Sequence, residues 1–152
     1  MDTFDKDILR ILQSDCTLSV SDIADQVGLS TTPCWRRIQA MEKSGIIKGR
    51  VALAEPEKLN VGLTVFVMVK TNQHNPQWLD KFSITIKDMP EIMEFYRLSG
   101  DIDYLLRIVV PDMKAFDTFY KKLITQADFS DISSSFAMEE IKYTTQLPLD
   151  YV

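Results

Sequence analysis

The sequence lacks the features that mark membrane and exported proteins. No apolar run in it approaches the roughly 20 residues that a membrane-spanning helix needs. The opening stretch, MDTFDKDILR, is acidic and contains no apolar signal core. An apolar fraction of 45% and a charged fraction of 26% are typical of soluble globular proteins. We therefore expect a cytoplasmic protein with no membrane partner.

Cysteine and histidine are too scarce for most metal centres. The two cysteines, Cys16 and Cys34, form neither a C-x-x-C pair nor a disulfide framework, so reduced thiols are expected. The single histidine, His74, lies in the polar stretch TNQHNPQ, where a solvated loop residue is the simpler interpretation. A histidine metal site or a Ser-His-Asp triad would depend on this one residue. The sequence therefore predicts no metal site.

Motifs of catalysis and nucleotide binding are also missing. The chain contains no G-x-G-x-x-G, no P-loop and no nucleophile elbow. Asp101 and Asp103 form a carboxylate pair, but an exposed turn lacks the apolar surroundings that general acid–base catalysis requires. We predict no catalytic residue, no cofactor and no enzymatic activity.

Basic residues are in the minority, yet they are concentrated in one part of the chain. The net charge is −5, which by itself argues against a nucleic-acid partner. Residues 1–25 carry a net charge of −4, residues 26–50 carry +4, and the remainder carries −5. A phosphate backbone responds to charges within a Debye length of about 8–10 Å, so a local basic face matters more than the total. The acidic total therefore does not exclude DNA.

The first fifty residues repeat apolar side chains at helical spacing. A first helix is predicted over about 5–14. A second follows Ser19, whose spacing from Asp22 resembles a capping box, and it ends at Gly28. A third begins after Ser30 and ends at Gly45. Its predicted inward face carries Cys34, Ile38 and Met41.

The short connection between the second and third helices predicts their geometry. Two helices joined through a Gly-containing turn of this length must cross at a steep angle, which is helix-turn-helix geometry. The stretch IIKGRVAL, residues 46–53, alternates like the strand of a wing. We place the domain boundary near Asn60, which gives a winged helix-turn-helix at 1–60 and a second domain at 61–152.

The second half of the chain changes to period-two alternation. Strands are predicted at 63–70, 91–99, 104–110 and 132–143, and helical repeats at 76–89 and 112–126. The order β-α-β-β-α-β predicts a ferredoxin-like sandwich with both helices on one face of the sheet, and an α+β fold overall. Apolar residues point to both faces of the predicted sheet. The uncovered face therefore predicts at least a homodimer.

The third helix and the segment after it carry the candidate DNA-binding residues. Arg, Gln and Thr side chains can contact base edges in a major groove, and a helix N-terminus favours a phosphate. The simpler alternative is the solvated face of an ordinary helix. Together, the capped two-helix unit, the local charge of +4 and the basic wing favour DNA. The candidates are Ser30, Thr31, Thr32, Arg36, Arg37, Gln39, Lys43, Lys48 and Arg50.

A hairpin and a serine run are candidates for a small ligand. Acidic side chains beside exposed backbone N–H groups could hold the ammonium and the carboxylate of a free amino acid, and SGDIDYLL places Asp101 and Asp103 beside Gly100. The alternative is that Gly-Asp is simply turn chemistry. The run SSS, 133–135, offers hydroxyls early in the last predicted strand, or is an exposed edge.

These motifs resemble one family. The stretch DKDILRILQSDCTLSVSDIADQVGLSTTPCWRRIQAMEKSGIIKG is similar to the winged helix-turn-helix of the Lrp/AsnC transcriptional regulators, and GLS-x-T-P-C followed by basic residues and GII is the specific part. MPEIMEFYRLSGDIDYLLRIVVPDM and SSFAMEEIKYTTQLPL resemble the effector-sensing domain of that family. The resemblance covers the whole chain and is nearest to the subgroup of cysteine-detoxification regulators. Trp35 fills a position that in the family often holds a smaller aliphatic residue.

The resemblance implies a function. Members of the family are dimers through the sheets of the second domain, often assemble into octamers, and bind amino acids between dimers near the hairpin and the last strand. A small amino-acid effector and double-stranded DNA are therefore the expected partners. Which amino acid, which genes, and activation or repression stay open. The residues that the resemblance marks for the effector are Gly100, Asp101, Asp103, Tyr104, Ser134 and Ser135.

Two other functions compete with a regulator. One is a dimeric ferredoxin-like enzyme of the oxygenase or haem-degrading kind, for which one loop histidine is a poor ligand set. The other is a stand-alone amino-acid sensor that does not contact DNA, and the basic segment 26–50 argues against it. The DNA-binding hypothesis requires that the five cations beyond Gln26 share one surface that acidic neighbours do not occupy.

Overall fold

The computed structural model describes residues 1–73 and 75–152. His74, expected in a polar loop, lies outside the described residues. The chain divides into two compact units, one of residues 1–53 with 141–152 and one of residues 54–140. This division differs from the predicted 1–60 and 61–152 in two places, since residues 54–60 belong to the second unit and residues 141–152 belong to the first.

Three helices form the body of the first unit. They are α1 (Thr3–Ser14), α2 (Val20–Val27) and α3 (Thr31–Lys43). The predicted capping box of α2 is confirmed, since Ser19 and Asp22 bond to each other's backbone N–H. Gly28 ends α2 at a φ of 72°, in the left-handed region that glycine enters without a steric penalty. A second capping box, of Asp2 and Asp5, starts α1 and was missed by the sequence analysis.

The core of the first unit joins all three helices to one distant residue. Its buried residues are Ile8, Leu9, Ile23, Ala24, Cys34, Ile38, Met41 and Leu149. Seven of them lie on the helices at the spacing of one helical face. Leu149 comes from the far end of the chain, and this contact gives the segment 141–152 its place in the unit.

The predicted wing strand is wrong for this structure. Residues 46–53 form no strand, and Ile47 N–H bonds to the carbonyl of Met41 at the end of α3. A strand needs a neighbouring strand to satisfy its backbone groups, and no described residue pairs with this segment. The alternation of IIKGRVAL therefore marks an extended segment with exposed apolar side chains at Val51 and Leu53.

The second unit is the predicted βαββαβ sandwich. Its elements in chain order are β1 (Leu63–Lys70), α4 (Pro76–Lys87), β2 (Ile92–Arg97), β3 (Tyr104–Val110), α5 (Met113–Ile124) and β4 (Asp131–Phe136). The strands lie in the order β2-β3-β1-β4, and every neighbouring pair is antiparallel. The fold is α+β, with a first unit of three helices and a second unit in which helices accompany an antiparallel sheet.

The two faces of the sheet have different surroundings. Alternate residues of β1 and β3, such as Val67 and Leu106, are fully buried in a core with Phe82 and Leu123 of the helices. The intervening residues Phe66, Met68, Leu105, Arg107 and Val109 point to the opposite face and are only half-buried. We call this opposite face of the sheet the outer face.

Candidate functional site

The solvent-facing side of α3 is the candidate DNA-binding surface. Burial of Cys34, Ile38 and Met41 fixes which side of the helix faces inward. The predicted side chains on the other side are exposed, as required for contact with a duplex. These exposed residues are Thr31, Thr32, Arg36, Gln39 and Lys43.

The N-terminus of α3 differs from those of α1 and α2. Ser30 takes the extended backbone conformation of an N-cap, with φ −76° and ψ 157°, but its side chain makes no capping hydrogen bond. Asp2 and Ser19 do cap the first two helices. The first-turn N–H groups of Thr31 and Thr32 thus lack a side-chain acceptor, and an anion such as a DNA phosphate suits that position.

Arg37 is engaged by carboxylates of the first helix. Its guanidinium lies 2.7 Å from a carboxylate oxygen of Asp2 and 2.7 Å from one of Asp5. The same guanidinium lies 5.5 Å from the centre of the Phe4 ring, within reach of a cation–π contact. Hydrogen bonds to Asp5 and Asp2 raise the pKa of Arg37 above its usual range. The charge of Arg37 therefore connects α3 to the start of α1.

The same contacts act on Asp2. The backbone N–H of Asp5, followed by the side chain of Arg37, lowers the pKa of Asp2 below its ordinary value of 3.8. Asp2 stays ionised at neutral pH, because hydrogen bonds to the charged form favour that form. One carboxylate thus serves both as the N-cap of α1 and as a partner of Arg37.

A second carboxylate organises the segment after α3. Glu42 accepts a hydrogen bond from Gln39 at 2.8 Å and one from Arg50 at 2.9 Å. Because the partners are exposed, such a pair contributes little stability and opens readily. The hydrogen bond to Glu42 holds Arg50 beside the candidate DNA-binding surface without burying its charge.

Three of the five cations stay without an ion pair. Within the described residues, no salt bridge involves Arg36, Lys43 or Lys48. The expectation that all five would be unoccupied by acidic neighbours is therefore wrong for Arg37 and Arg50. Adjacent side chains point in different directions around a helix with 3.6 residues per turn. Arg36 therefore faces solvent, whereas Arg37 turns toward α1.

Trp35 does not pack on the core of its unit. Its side chain is 51% exposed, and it is absent from the apolar residues that surround the core. This exposure does not support packing of Trp35 against the first helix. The ring is available on the same helix as Arg36.

The predicted ligand hairpin is anchored to the end of β1. Asp103 N–H donates to the carbonyl of Val69 at 3.1 Å, and the Asp103 carboxylate accepts from the N–H of Thr71 at 2.9 Å. Leu98 N–H bonds to the carbonyl of Asp103 and closes the turn around Gly100, which has a φ of 137°. Asp103 is thus half-buried in the base of the hairpin, whereas Asp101 lies exposed at its tip.

Tyr104 lies in the core of the second unit. It is 5% exposed, and its ring centre lies 5.4 Å from that of Phe95 and 5.5 Å from that of Trp78. A ligand on the surface would meet the neighbours of this ring before the ring itself. The resemblance marks Tyr104 for the effector, and the geometry supports the role of positioning the hairpin.

The two marked serines of β4 point to opposite faces of the sheet. Ser134 is opposite Val67, whose side chain is buried under the helices, and Ser135 is opposite Phe66 on the outer face. Ser133, opposite Met68, shares the outer face with Ser135. Because side chains alternate along a strand, Ser133 is the companion of Ser135 on the outer face, and it belongs to the predicted serine run although the resemblance does not mark it.

The hairpin and β4 meet at one end of the sheet. Val69 pairs with Tyr104 of β3 on one side and with Ile132 of β4 on the other. Thr71, the next residue but one, is 3% exposed and donates from its hydroxyl to the carbonyl of Asp128 at 3.4 Å. This end of the sheet therefore gathers backbone N–H groups, hydroxyls and carboxylates, which are the groups that recognise an amino acid.

Among residues 1–73 and 75–152, no group of three or more His, Cys, Asp or Glu side chains is arranged to hold a metal ion. No described helix is long and apolar enough to cross a membrane. The sites above consist of surfaces and hydrogen-bonding groups.

Two family models match the chain in order. A winged helix-turn-helix DNA-binding model matches residues 1–48, and a model of the Lrp/AsnC ligand binding domain matches residues 64–147. The first match covers α1 to α3, and the second covers the entire sandwich. A stand-alone sensor lacking a DNA-binding unit does not fit this pair of matches.

Known proteins and solved structures that are similar to this chain over its full length are also transcriptional regulators. The chain is 48% identical over 151 residues to the DNA-binding transcriptional activator DecR of Escherichia coli strain K12, covering 99% of each chain. The crystal structure of an AsnC family transcriptional regulator from Agrobacterium tumefaciens is 60% identical, with a TM-score of 0.96 and 99% of each chain covered. A transcriptional regulator of Neisseria meningitidis in complex with L-Met is 35% identical, with a TM-score of 0.94, covering 99% of this chain and 98% of that one.

Sequence, fold and relatives agree on a DNA-binding regulator of transcription with a ligand-binding domain, and not on an enzyme. The chain belongs to the Lrp/AsnC family of transcriptional regulators.

Proposed function

We propose that this regulator recognises a specific DNA sequence through α3 and that a small amino acid in the second unit alters its DNA occupancy. The observation that carries the proposal is the state of α3, whose exposed side holds Arg36, without an ion pair among residues 1–73 and 75–152, beside an N-terminus with no side-chain cap. A helix of this kind fits a major groove, where the double-stranded DNA supplies both base edges and phosphates. The protein would act in the cytoplasm, where it meets its operators.

The exposed residues of α3 divide by the chemistry of their side chains. Arg36 and Gln39 have the donors and acceptors that contact base edges, with Arg most suited to guanine. Ser30, Thr31 and Thr32 surround the uncapped first turn and suit a phosphate. Lys43 and Lys48 are exposed cations that contribute charge to the contact with the backbone.

Two of the originally predicted residues take other roles in this proposal. Arg37 acts through its bonds to Asp2 and Asp5, which set the position of α3 against α1. Arg50 contacts phosphate after its exposed bond to Glu42 opens, since surface ion pairs of this kind cost little to break. Both remain necessary for binding, and only Arg50 touches DNA.

Selection of bound duplexes from a random-sequence pool tests the DNA part of the proposal. We expect enrichment of two related half-sites about 10 base pairs apart, since a two-fold dimer presents two recognition helices one turn apart. The affinity for the enriched duplex should fall steeply as salt rises, because neutralised phosphates release counterions. A pool without an enriched motif, bound with a shallow salt dependence, would contradict sequence-specific recognition.

The amino-acid part of the proposal rests on the hairpin and β4. Gly100, Asp101 and Asp103 supply a turn with carboxylates, and Ser134 and Ser135 supply hydroxyls at the same sheet. Asp101 at the exposed tip suits the ammonium group of the effector, and Asp103 with Tyr104 shapes the base. The Neisseria regulator was solved with L-Met, which supports an amino acid as the class of ligand.

A thermal-shift screen of the twenty L-amino acids tests this part. A ligand present at about 100 times its Kd stabilises the folded protein by roughly 2.7 kcal/mol, so a binder should stand out clearly. Asp101→Asn should remove the shift, whereas Asp117→Asn, an exposed aspartate on α5, should keep it. If no amino acid changes the melting temperature, the ligand belongs to another chemical class.

We further propose assembly through the outer face of the sheet. Phe66, Met68, Leu105 and Val109 place apolar surface on this face, and an apolar sheet face in a small domain usually meets a partner. A homodimer would cover it with a second copy of the same residues. The resemblance to the family supports further assembly of such dimers into octamers.

A further inference from the structure

The segment 145–152 is bound to α1 along its whole length. Leu149 is 8% exposed and is the only residue of the first unit's buried core that lies beyond Met41. Lys6, near the start of α1, donates a hydrogen bond to the main-chain oxygen of Val152. The other bonds lie at the end of α1. We call residues 145–152 the tail.

The tail satisfies the exposed backbone at the end of α1. The last four carbonyl groups of a helix have no partner within the helix. The hydroxyl of Thr145 donates to one of them, the carbonyl of Gln13, at 2.6 Å. Gln146 donates from its side chain to the hydroxyl of Ser14. The end of α1 is therefore completed by residues more than 130 positions away in sequence.

One side chain binds both backbone groups of a tail residue. The amide of Gln13 accepts from Leu147 N–H at 2.7 Å and donates to the Leu147 carbonyl at 3.4 Å. Both backbone polar groups of Leu147 thus find their hydrogen-bond partner in one side chain.

The opposite end of α1 is bound to the recognition helix. Asp2, just before α1, and Asp5, in its first turn, both accept hydrogen bonds from Arg37 of α3. Helix α1 therefore contacts the tail through Lys6, Gln13 and Ser14 and contacts α3 through the carboxylates at its N-terminus. The same helix thus carries contacts to the tail and contacts to Arg37.

The tail is also the continuation of the candidate ligand-binding strand. Strand β4 ends at Phe136, and residues 137–144 lead from it to Thr145. Ser134 and Ser135 of the proposed effector site lie on this strand. The polypeptide thus runs directly from the proposed effector site to the structure that orients α1.

We propose that the tail is a positioning element that transmits the state of the ligand-binding unit to the DNA-binding unit, with Gln13 as its principal contact. When the tail is held, α1 and Arg37 keep α3 in the orientation that binds DNA. When a change in β4 loosens the tail, α3 loses that orientation and DNA affinity falls. This inference rests on the proposed amino-acid response and adds its route.

Gln13→Ala in the full-length protein tests the route. It removes both bonds to Leu147 and leaves the apolar core intact. Tyr151→Ala, in the same tail but with a side chain that is 88% exposed, is the matched control. L-methionine is the probe, and calorimetry measures its affinity for each variant. The affinity of each variant for DNA is then measured without L-methionine and with a saturating concentration of it.

Coupling between two sites commonly changes affinity by about 5- to 150-fold. We expect the ratio of the DNA affinities measured with and without L-methionine to fall to about 1 in Gln13→Ala and to stay at the wild-type value in Tyr151→Ala. The affinity of both variants for L-methionine should be unchanged. If Gln13→Ala weakens DNA binding equally with and without L-methionine and keeps the ratio, the tail is only structural and the inference fails.

Hydrogen exchange separates this inference from the amino-acid proposal. If L-methionine leaves the DNA affinity of the wild type unchanged, the amino-acid response fails for this probe, and the tail is judged from exchange in the absence of ligand. Faster exchange of both α1 and α3 amides in Gln13→Ala supports the positioning role. Faster exchange confined to the last turn of α1 overturns it.

Discussion

The two adjacent arginines of α3 have different surroundings, and their roles differ accordingly. Arg36 is exposed and has no ion pair among the described residues, so its donors are available to a base edge. Arg37 is half-buried between two carboxylates and the face of Phe4. A residue already bound on three sides suits fixing the position of a helix better than contacting DNA.

Replacement of Arg37 should therefore destabilise the first unit. In Arg37→Ala the two carboxylates would face each other without a cation between them, and α1 would lose its bond to α3. We expect a lower unfolding temperature by calorimetry and a loss of DNA affinity that is the same for all duplex sequences. Arg37→Lys should recover part of both, since it restores the charge without the forked geometry.

The exposed neighbour supplies the control for this prediction. Arg36→Ala should leave the unfolding temperature near that of the wild type, because the Arg36 side chain makes no described contact with a carboxylate. Equal stability of Arg37→Ala and wild type would show that the ion pairs are not maintained in solution and would return Arg37 to the candidate DNA contacts.

At the scale of elements, the outer face of the sheet carries apolar side chains that are only half-buried. Phe66 and Met68 alternate along β1 with three fully buried valines. Glu94 and Arg107 form an ion pair at 2.8 Å on the neighbouring strands, and Arg107 lowers the pKa of the Glu94 carboxyl. An apolar patch beside a satisfied pair is typical of a surface buried on assembly.

If the outer face is the homodimer interface proposed above, Met68→Asp should produce smaller species than the wild type. A carboxylate buried without a partner at the centre of an isologous interface would occur twice, once from each copy, and would repel its equivalent. Sedimentation velocity should show a lower mass than for the wild type. Met113→Asp is the matched control, since Met113 is exposed at the start of α5, where a negative charge is favourable. If Met68→Asp keeps the wild-type mass, assembly uses another surface.

The elements that sequence patterns could predict are those with continuous periodicity. The strands at 63–70 and 104–110 match the predicted bounds because each alternates without interruption. The wing failed because alternation alone does not supply the second strand that a ladder needs. In the stretch QLPLDYV nothing distinguishes Leu149 from Leu147, which is 73% exposed, so the sequence could not indicate that Leu149 completes a core at Ile8 and Leu9.

The candidate sites show the same limit at finer resolution. The helical period correctly turned Arg36 outward, but it could not reveal that Asp2 and Asp5 approach Arg37 from another helix. In β4 the strand period was sufficient to separate Ser134 from Ser135, and it points to Ser133 as the second hydroxyl of the outer face. Contacts between elements far apart in sequence are what the structure adds.

At the scale of the whole molecule, an acidic protein binds a polyanion because its charges are segregated. Residues 1–25 carry a net charge of −4 and residues 51–152 carry −5, whereas residues 26–50 carry +4, with Arg36, Lys43 and Lys48 exposed on and after α3. Charges farther from the duplex than about 10 Å are screened at physiological salt. The local surface therefore decides the interaction, and the acidic remainder limits binding to unrelated DNA.

The central claim is that α3 distinguishes one DNA sequence from others through Arg36. The most direct test is the affinity of wild type and Arg36→Ala for the selected operator and for a scrambled duplex of equal length and salt. We predict that Arg36→Ala loses about 1–3 kcal/mol on the operator, roughly 5- to 150-fold, and much less on the scrambled duplex. An equal loss on both duplexes would contradict base recognition by Arg36.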